Sequence, residues 1–209
     1  MSSKINLQTC EYARKSSIFQ DNQLICYKNY MITIKEFYGD VKDIDESVLA
    51  VKSDCLWEKG SLLDIKNLVT PQLFYLHILV NLIGNWKYEG WWFIMCEMVQ
   101  FVPYIAETLS QAGAEDMKTT FEKVIDCFPG DTRFEDSEEY FDIVNFLQSM
   151  AYKVKNESLK TITREERKAN IKKLQKCVDK LDEITSRYWG DDAPGHGWKQ
   201  AIDYIELNC

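Results

Sequence analysis

The side chains that could do chemistry are few in this chain, and they are scattered. Two histidines, His77 and His196, occur in 209 residues. His77 sits in the apolar stretch LFYLHILV. No Ser, Cys or carboxylate stands at a spacing that would build a nucleophile, a base and an orienting acid around it. A hydrogen-bonded core histidine is therefore expected. His196 lies in APGHG, where a solvated loop imidazole titrating near neutrality is expected. The seven cysteines are Cys10, Cys26, Cys55, Cys96, Cys127, Cys177 and Cys209, an odd count with no CxxC pair. Cys96 in FIMCEMV and Cys127 in KVIDCF have core-type neighbours. They read as free thiols packed as small hydrophobes in a reducing cytosol. With two histidines to help, no zinc pattern can be assembled. Asp191-Asp192 lacks the ligand series of a calcium loop and reads as a turn. Trp91 and Trp92 could stack a base or a sugar, but adjacent residues on a helix cannot both face one ligand. They are expected in the core. No catalytic residue, cofactor or metal is expected, and the chain reads as a non-enzyme.

The remaining candidates are carboxylates. Between residues 113 and 146 stand Glu115, Asp116, Glu122, Asp126, Asp131, Glu135, Asp136, Glu138, Glu139 and Asp142, against the bases Lys118, Lys123 and Arg133. Between residues 153 and 180 the balance reverses, with ten bases (Lys153, Lys155, Lys160, Arg164, Arg167, Lys168, Lys172, Lys173, Lys176, Lys180) against four acids. Such a molecule is dipolar. Either the two segments are helices whose faces complement each other, or the acids form a patch that draws in a basic partner.

These side chains need helices to hold them. Thr70-Pro71 is a helix start: Thr can cap, and Pro fits the first helical position. Leu73, Leu76, Val80 and Ile83, with Phe74, His77 and Ile78 around the cylinder, predict a central helix that stops at Gly84-Asn85. A second helix begins near Gly90, and Pro103 kinks it or separates it from the next. Gly113 suits a left-handed cap. Residues 114–128 are amphipathic through Met117, Phe121, Val124, Ile125 and Phe128. Asp136 with Glu139, and Thr163 with Glu166, have capping-box spacing. They predict helices over roughly 137–151 and on to Trp189, before a loop over 190–197 and a last helix from Trp198 to Leu207. Residues 43–57 keep helical spacing through Ile44, Val48, Val51 and Leu56. The phrase NQLICYKNYMITIKEFY, near the N-terminus, is rich in β-branched and aromatic residues, so it could form a short strand or hairpin, or an irregular helical lead-in.

Composition bounds the rest. A chain with 45% hydrophobic and 13% aromatic residues has material for one compact core, burying about 70% of its unfolded surface. Few Gly and Pro favour long helices. The expected fold is all-α, a single compact multi-helix domain. A net charge of −8 with a pI near 4.9 disfavours direct nucleic-acid binding, which needs Lys and Arg to displace phosphate counterions. The N-terminus has no apolar h-region, and the most apolar stretch, Leu73 to Ile83, is too short to span a membrane. A cytoplasmic protein with no membrane contact is expected, and a homodimer is compatible with the reading.

The order of phrases resembles the bacterial DNA-mimic protein family, whose members are small, acidic and helical. The residues that carry the likeness are Tyr88-Glu89-Gly90-Trp91, then Gln111-Ala112-Gly113-Ala114. They are followed by Leu181-Asp182-Glu183 with Arg187-Tyr188-Trp189, and by Ala201-Ile202-Asp203-Tyr204-Ile205. The Asn and Gln of the family's glycine-aromatic phrase are absent, replaced by residues such as Glu89 and Phe93. The resemblance implies a helical domain over 70–209, with 1–69 as an N-terminal extension packed on it. It also implies a basic protein partner of DNA-binding type, held by the ten acids above, joined by Asp182, Glu183, Asp191 and Asp192. The other reading is a helical interaction or immunity-type protein with no mimicry.

Overall fold

A computed structural model describes residues 31–39, 44–130, 132–134 and 136–209. Among them are nine α-helices and no strand. The extended chain at Ile32 makes a single parallel bridge to Val69, with Ile32 N–H on Leu68 C=O at 3.1 Å and Thr70 N–H on Ile32 C=O at 2.9 Å. That bridge does not make a strand: Ile34–Tyr38 of the same phrase is helical, because the Thr33/Glu36 capping box starts a helix there, and residues 22–30 of the phrase lie outside the described residues. Met31–Cys209 is one compact unit, so residues 31–69 belong with those that follow. Among the described residues no helix is long and apolar enough to cross a membrane.

Local signals set most helix starts. Helix α1 (Ile34–Tyr38), α3 (Leu62–Leu68) and α8 (Arg164–Trp189) each open on a reciprocal capping box, at Thr33/Glu36, Ser61/Asp64 and Thr163/Glu166. Helix α2 (Glu46–Trp57) opens on Asp45, whose carboxylate accepts Val48 N–H at 2.9 Å. Each box satisfies N–H groups that have no intrahelical partner.

Helix α4 (Pro71–Glu97) is the centre, buried through Leu73, Leu76, Ile78, Leu79, Leu82 and Ile83. Pro71 opens it as expected, but the Thr70 side chain makes no cap bond. The expected stop at Gly84-Asn85 is overridden. Trp198 packs over Gly84, and Asn85 Nδ2 donates to Asn81 C=O at 2.7 Å, so tertiary burial outweighs local propensity. The break falls at Gly90, with φ +75° and ψ −171°, a region open essentially to glycine alone.

After a short turn at Val99–Phe101 come α5 (Val102–Gln111), α6 (Glu115–Ile125) and α7 (Ser137–Gln148). Pro103 therefore separates two helices and sits in the first turn of α5. Helix α8 runs beside α6, α4 and α7, and α9 (Lys199–Asn208) closes against α4. Trp91 lies where α4, α6 and α8 meet. It is fully buried, 5.7 Å from the Phe121 ring and 5.8 Å from the Trp189 ring, with its indole N–H on Thr185 Oγ1 at 2.8 Å.

Candidate functional site

The acid-bearing segment is held by two devices. Gly113, at φ +70°, turns the chain out of α5, and Ala114 N–H returns to Leu109 C=O at 2.8 Å, which ties off the helix end. Helix α6 then buries Met117, Thr120, Phe121 and Val124 and leaves Glu115, Asp116, Glu122 and Asp126 exposed. Past α6, three rings clamp the connection to α7. Phe128 stacks on Tyr140 at 5.5 Å, and Phe134 lies 5.7 Å from Phe128 and 5.8 Å from Tyr140.

The ten acids do different things. Glu115 accepts the Ser110 hydroxyl at 2.6 Å and pairs with Lys118 at 3.4 Å. The Ser110 bond first, with Lys118, holds its carboxyl below the usual range. Asp116 accepts the Tyr188 hydroxyl at 2.8 Å. Asp136 caps α7, accepting Glu139 N–H at 3.1 Å. Glu139 does not complete the expected capping box; it turns to Arg133, which also reaches Asp136. Glu122, Asp126 and Glu138 are exposed and have no ion pair among the described residues. Asp131 and Glu135 lie outside the described residues.

Asp142 departs from the expected surface set: it is buried at 6% exposure. Its carboxylate accepts the Tyr152 hydroxyl and the backbone N–H groups of Lys155 and Asn156, all at 2.8–3.1 Å. Burial pushes its carboxyl up, but these donors outweigh burial and keep it below the usual range. A charged oxygen with that many donors is an internal anchor for the loop after α7.

Of the outlying acids, Asp182 is half-buried at the α4 break, where it accepts Trp86 Nε1–H at 2.8 Å and the Trp91 backbone N–H. Burial raises its pKa. Glu183 pairs with Lys180 and Arg187. Asp191 pairs with Lys87 at 2.7 Å, and the same ammonium reaches the carbonyls of Trp189 and His196, fastening the loop after α8. Asp192 is exposed.

Two depressions carry some of the ten acids on their walls. One, of about 760 Å³, is lined by Arg133, Glu138, Glu139, Phe141, Lys155 and Asn156 among others. Phe141 is 47% exposed there. The other, of about 250 Å³, is lined by Val102, Pro103, Glu122, Ile125, Asp126 and Phe134 among others. Each depression thus presents an unpaired carboxylate beside apolar side chains.

The basic segment does not cancel these acids by direct pairing. Arg164, Lys168, Lys172, Lys176 and Lys180 recur every fourth residue of α8, and no ion pair joins α8 to the acids of α6 or α7 among the described residues. Arg167 is internal. It donates to the carbonyls of Phe146, Ser149 and Tyr152 and lies 4.0 Å over the Phe146 ring.

Spacing in sequence concealed one constellation. Ser53 Oγ lies 3.0 Å from His77 Nδ1. Asn81 Nδ2 donates to Ser53 Oγ at 2.8 Å, and Trp57 Nε1–H donates to Asn81 Oδ1 at 3.1 Å. The atoms are those of a nucleophile and a base, but Ser53 and His77 are 5% and 1% exposed. The network ties α2 to α4 inside the core, and burial pushes the His77 imidazole down to about 4. His77 is thus the hydrogen-bonded core histidine expected. His196 is exposed, in the loop. No group of three or more His, Cys, Asp or Glu side chains could hold a metal ion among the described residues.

Comparison with known proteins finds no matching family, no matching curated protein and no matching solved structure.

Proposed function

We propose that this protein is a non-enzymatic, acidic protein-binding domain that receives a basic segment of a partner protein on the α6–α7 surface. The observation that carries the reading is that Glu122, Asp126 and Glu138 are exposed and without an ion pair among the described residues, the first two on a depression with Phe134 and the third on another with Phe141. Uncompensated carboxylates steer a cationic partner in, and adjoining apolar side chains supply the contact area that slows its release.

Mimicry of DNA is the narrower form of this reading. It asks for a run of outward carboxylates at near-phosphate spacing. Asp142 is turned inward, and Asp136 and Glu139 share Arg133. Those arrangements favour plain docking, of the interaction or immunity type. The thiols Cys96, Cys127, Cys177 and Cys209, none of them in a disulfide among the described residues, support a cytoplasmic setting.

The test is a capture experiment on cell lysate with wild-type protein and the triple variant Glu122→Lys, Asp126→Lys, Glu138→Lys. The expected result is a salt-sensitive partner rich in Lys and Arg, lost by about tenfold or more with the triple variant. Equal capture by both proteins would overturn the proposal. Duplex DNA added as competitor separates the two forms: release marks mimicry, and indifference marks plain docking.

A further inference from the structure

Two of the free thiols face each other across the α6–α8 packing. Cys127 Sγ lies 3.9 Å from Cys177 Sγ, and its S–H also reaches Lys123 C=O at 3.3 Å. Cys177 is half-buried on α8, and Cys127 is the more deeply covered of the two. They stand 50 residues apart in sequence, so the fold alone brings them together.

We infer that Cys127 and Cys177 form an oxidative modification site, where a peroxide converts two thiols into one disulfide that ties the turn after α6 to the middle of α8. A disulfide needs sulfurs at about 2.05 Å, so the pair must close by about 2 Å. Cys127 is placed to make that movement. It lies beyond Ile125, the last residue of α6, in a turn held by Cys127 N–H on Val124 C=O and Phe128 N–H on Ile125 C=O. Turn backbone and a single χ1 rotation yield more readily than the interior of α8, which fixes Cys177.

The order of events follows from exposure. Cys177 is the more accessible sulfur and meets the oxidant first. Its thiolate attacks one peroxide oxygen, the O–O bond breaks, and the departing hydroxide takes a proton and leaves as water. Cys177 is then a sulfenic acid. The Cys127 sulfur attacks the Cys177 sulfur, its thiol proton joins the departing hydroxyl, and a second water leaves as the S–S bond forms. Two thiols are oxidised, and one peroxide is reduced to two waters. Burial pushes the Cys127 thiol up to about 11, so Cys127 enters as the resolving thiol and not as the first nucleophile. Cys96, also raised to about 11 by burial and by Glu97, has no second thiol beside it among the described residues.

The bond would enclose α7 and the three-ring clamp in one covalent loop, and it does not depend on the proposed partner. Its test uses the whole folded protein. Equimolar hydrogen peroxide is added, free thiols are alkylated, and the protein is cut with trypsin without reductant. The expected product is VIDCFPGDTR joined to CVDK, two hydrogens lighter than the separate peptides and abolished by dithiothreitol. In Cys127→Ser the sulfenic acid persists on Cys177 and is trapped by dimedone. Recovery of both wild-type peptides as alkylated thiols after the peroxide is consumed would overturn the inference. So would a dominant bridge from either cysteine to a different one.

Discussion

The carboxylate of Asp142 accepts the backbone N–H of Asn156 at 2.8 Å across fourteen residues of chain. The same group holds Lys155 N–H and the Tyr152 hydroxyl, so one side chain of α7 organises the segment that leads to α8. Asp142→Ala strands these donors. It is expected to cost about 3 kcal/mol, the scale of hydrogen bonds to a buried charge, read as a lower urea midpoint. It should also speed hydrogen exchange at Lys155 and Asn156. An unchanged midpoint would contradict this account.

The buried imidazole of His77 makes stability depend on acid. An unfolded histidine takes a proton near 6.5, whereas the folded one resists until about 4. The unfolded state therefore binds more protons between those values, and stability falls as pH drops from about 6.5 towards 4. A loss of about 1–3 kcal/mol over that window is expected. His77→Gln should flatten that slope while lowering stability at pH 7. Urea midpoints at pH 7.5, 6 and 5 measure both.

Two glycines of α4 should respond differently to alanine. Gly90 holds φ +75° and ψ −171°, and a Cβ there meets Asp182 Oδ1 at an ordinary 3.5 Å. Backbone strain, not a clash, makes Gly90→Ala destabilising by about 1–3 kcal/mol. Gly84 is helical, with Trp198 3.8 Å from the added Cβ, so Gly84→Ala should be neutral or stabilising by up to about 1 kcal/mol. Thermal melts of the two variants side by side decide it.

Thr185 is the acceptor for the buried Trp91 indole N–H and donates its own hydroxyl to Leu181 C=O at 2.8 Å. Thr185→Val keeps the shape and leaves the indole N–H without a partner. A cost of about 1–3 kcal/mol is expected, with a shift in tryptophan emission. Equal stability would mean that the Trp91 contact is packing alone.

Much of the helical framework was legible along the chain because its signals are local. The Thr163/Glu166 box, the Asp136 cap, the Pro71 start and the Gly113 turn all act within four residues, and each stands where spacing puts it. Two more boxes, TIKE at Thr33 and SLLD at Ser61, carry the same signal and were legible by the same rule. The stop expected at Gly84-Asn85 failed for the opposite reason. Its outcome hangs on Trp198, 114 positions away, whose packing local propensity does not register.

The sequence by itself determined an all-α chain, the helix-starting caps and the separation of an acidic from a basic segment, since periodicity, capping and charge are properties of neighbours. The tertiary structure alone decided which carboxylates face water. It turned Asp142 inward onto residues 152–156, left Glu122 and Asp126 outside, set Ser53 against His77 and brought Cys127 to Cys177. Those outcomes depend on packing between helices distant in sequence. A side chain's burial and partners follow from which face its helix presents to another, and no spacing along one segment encodes that.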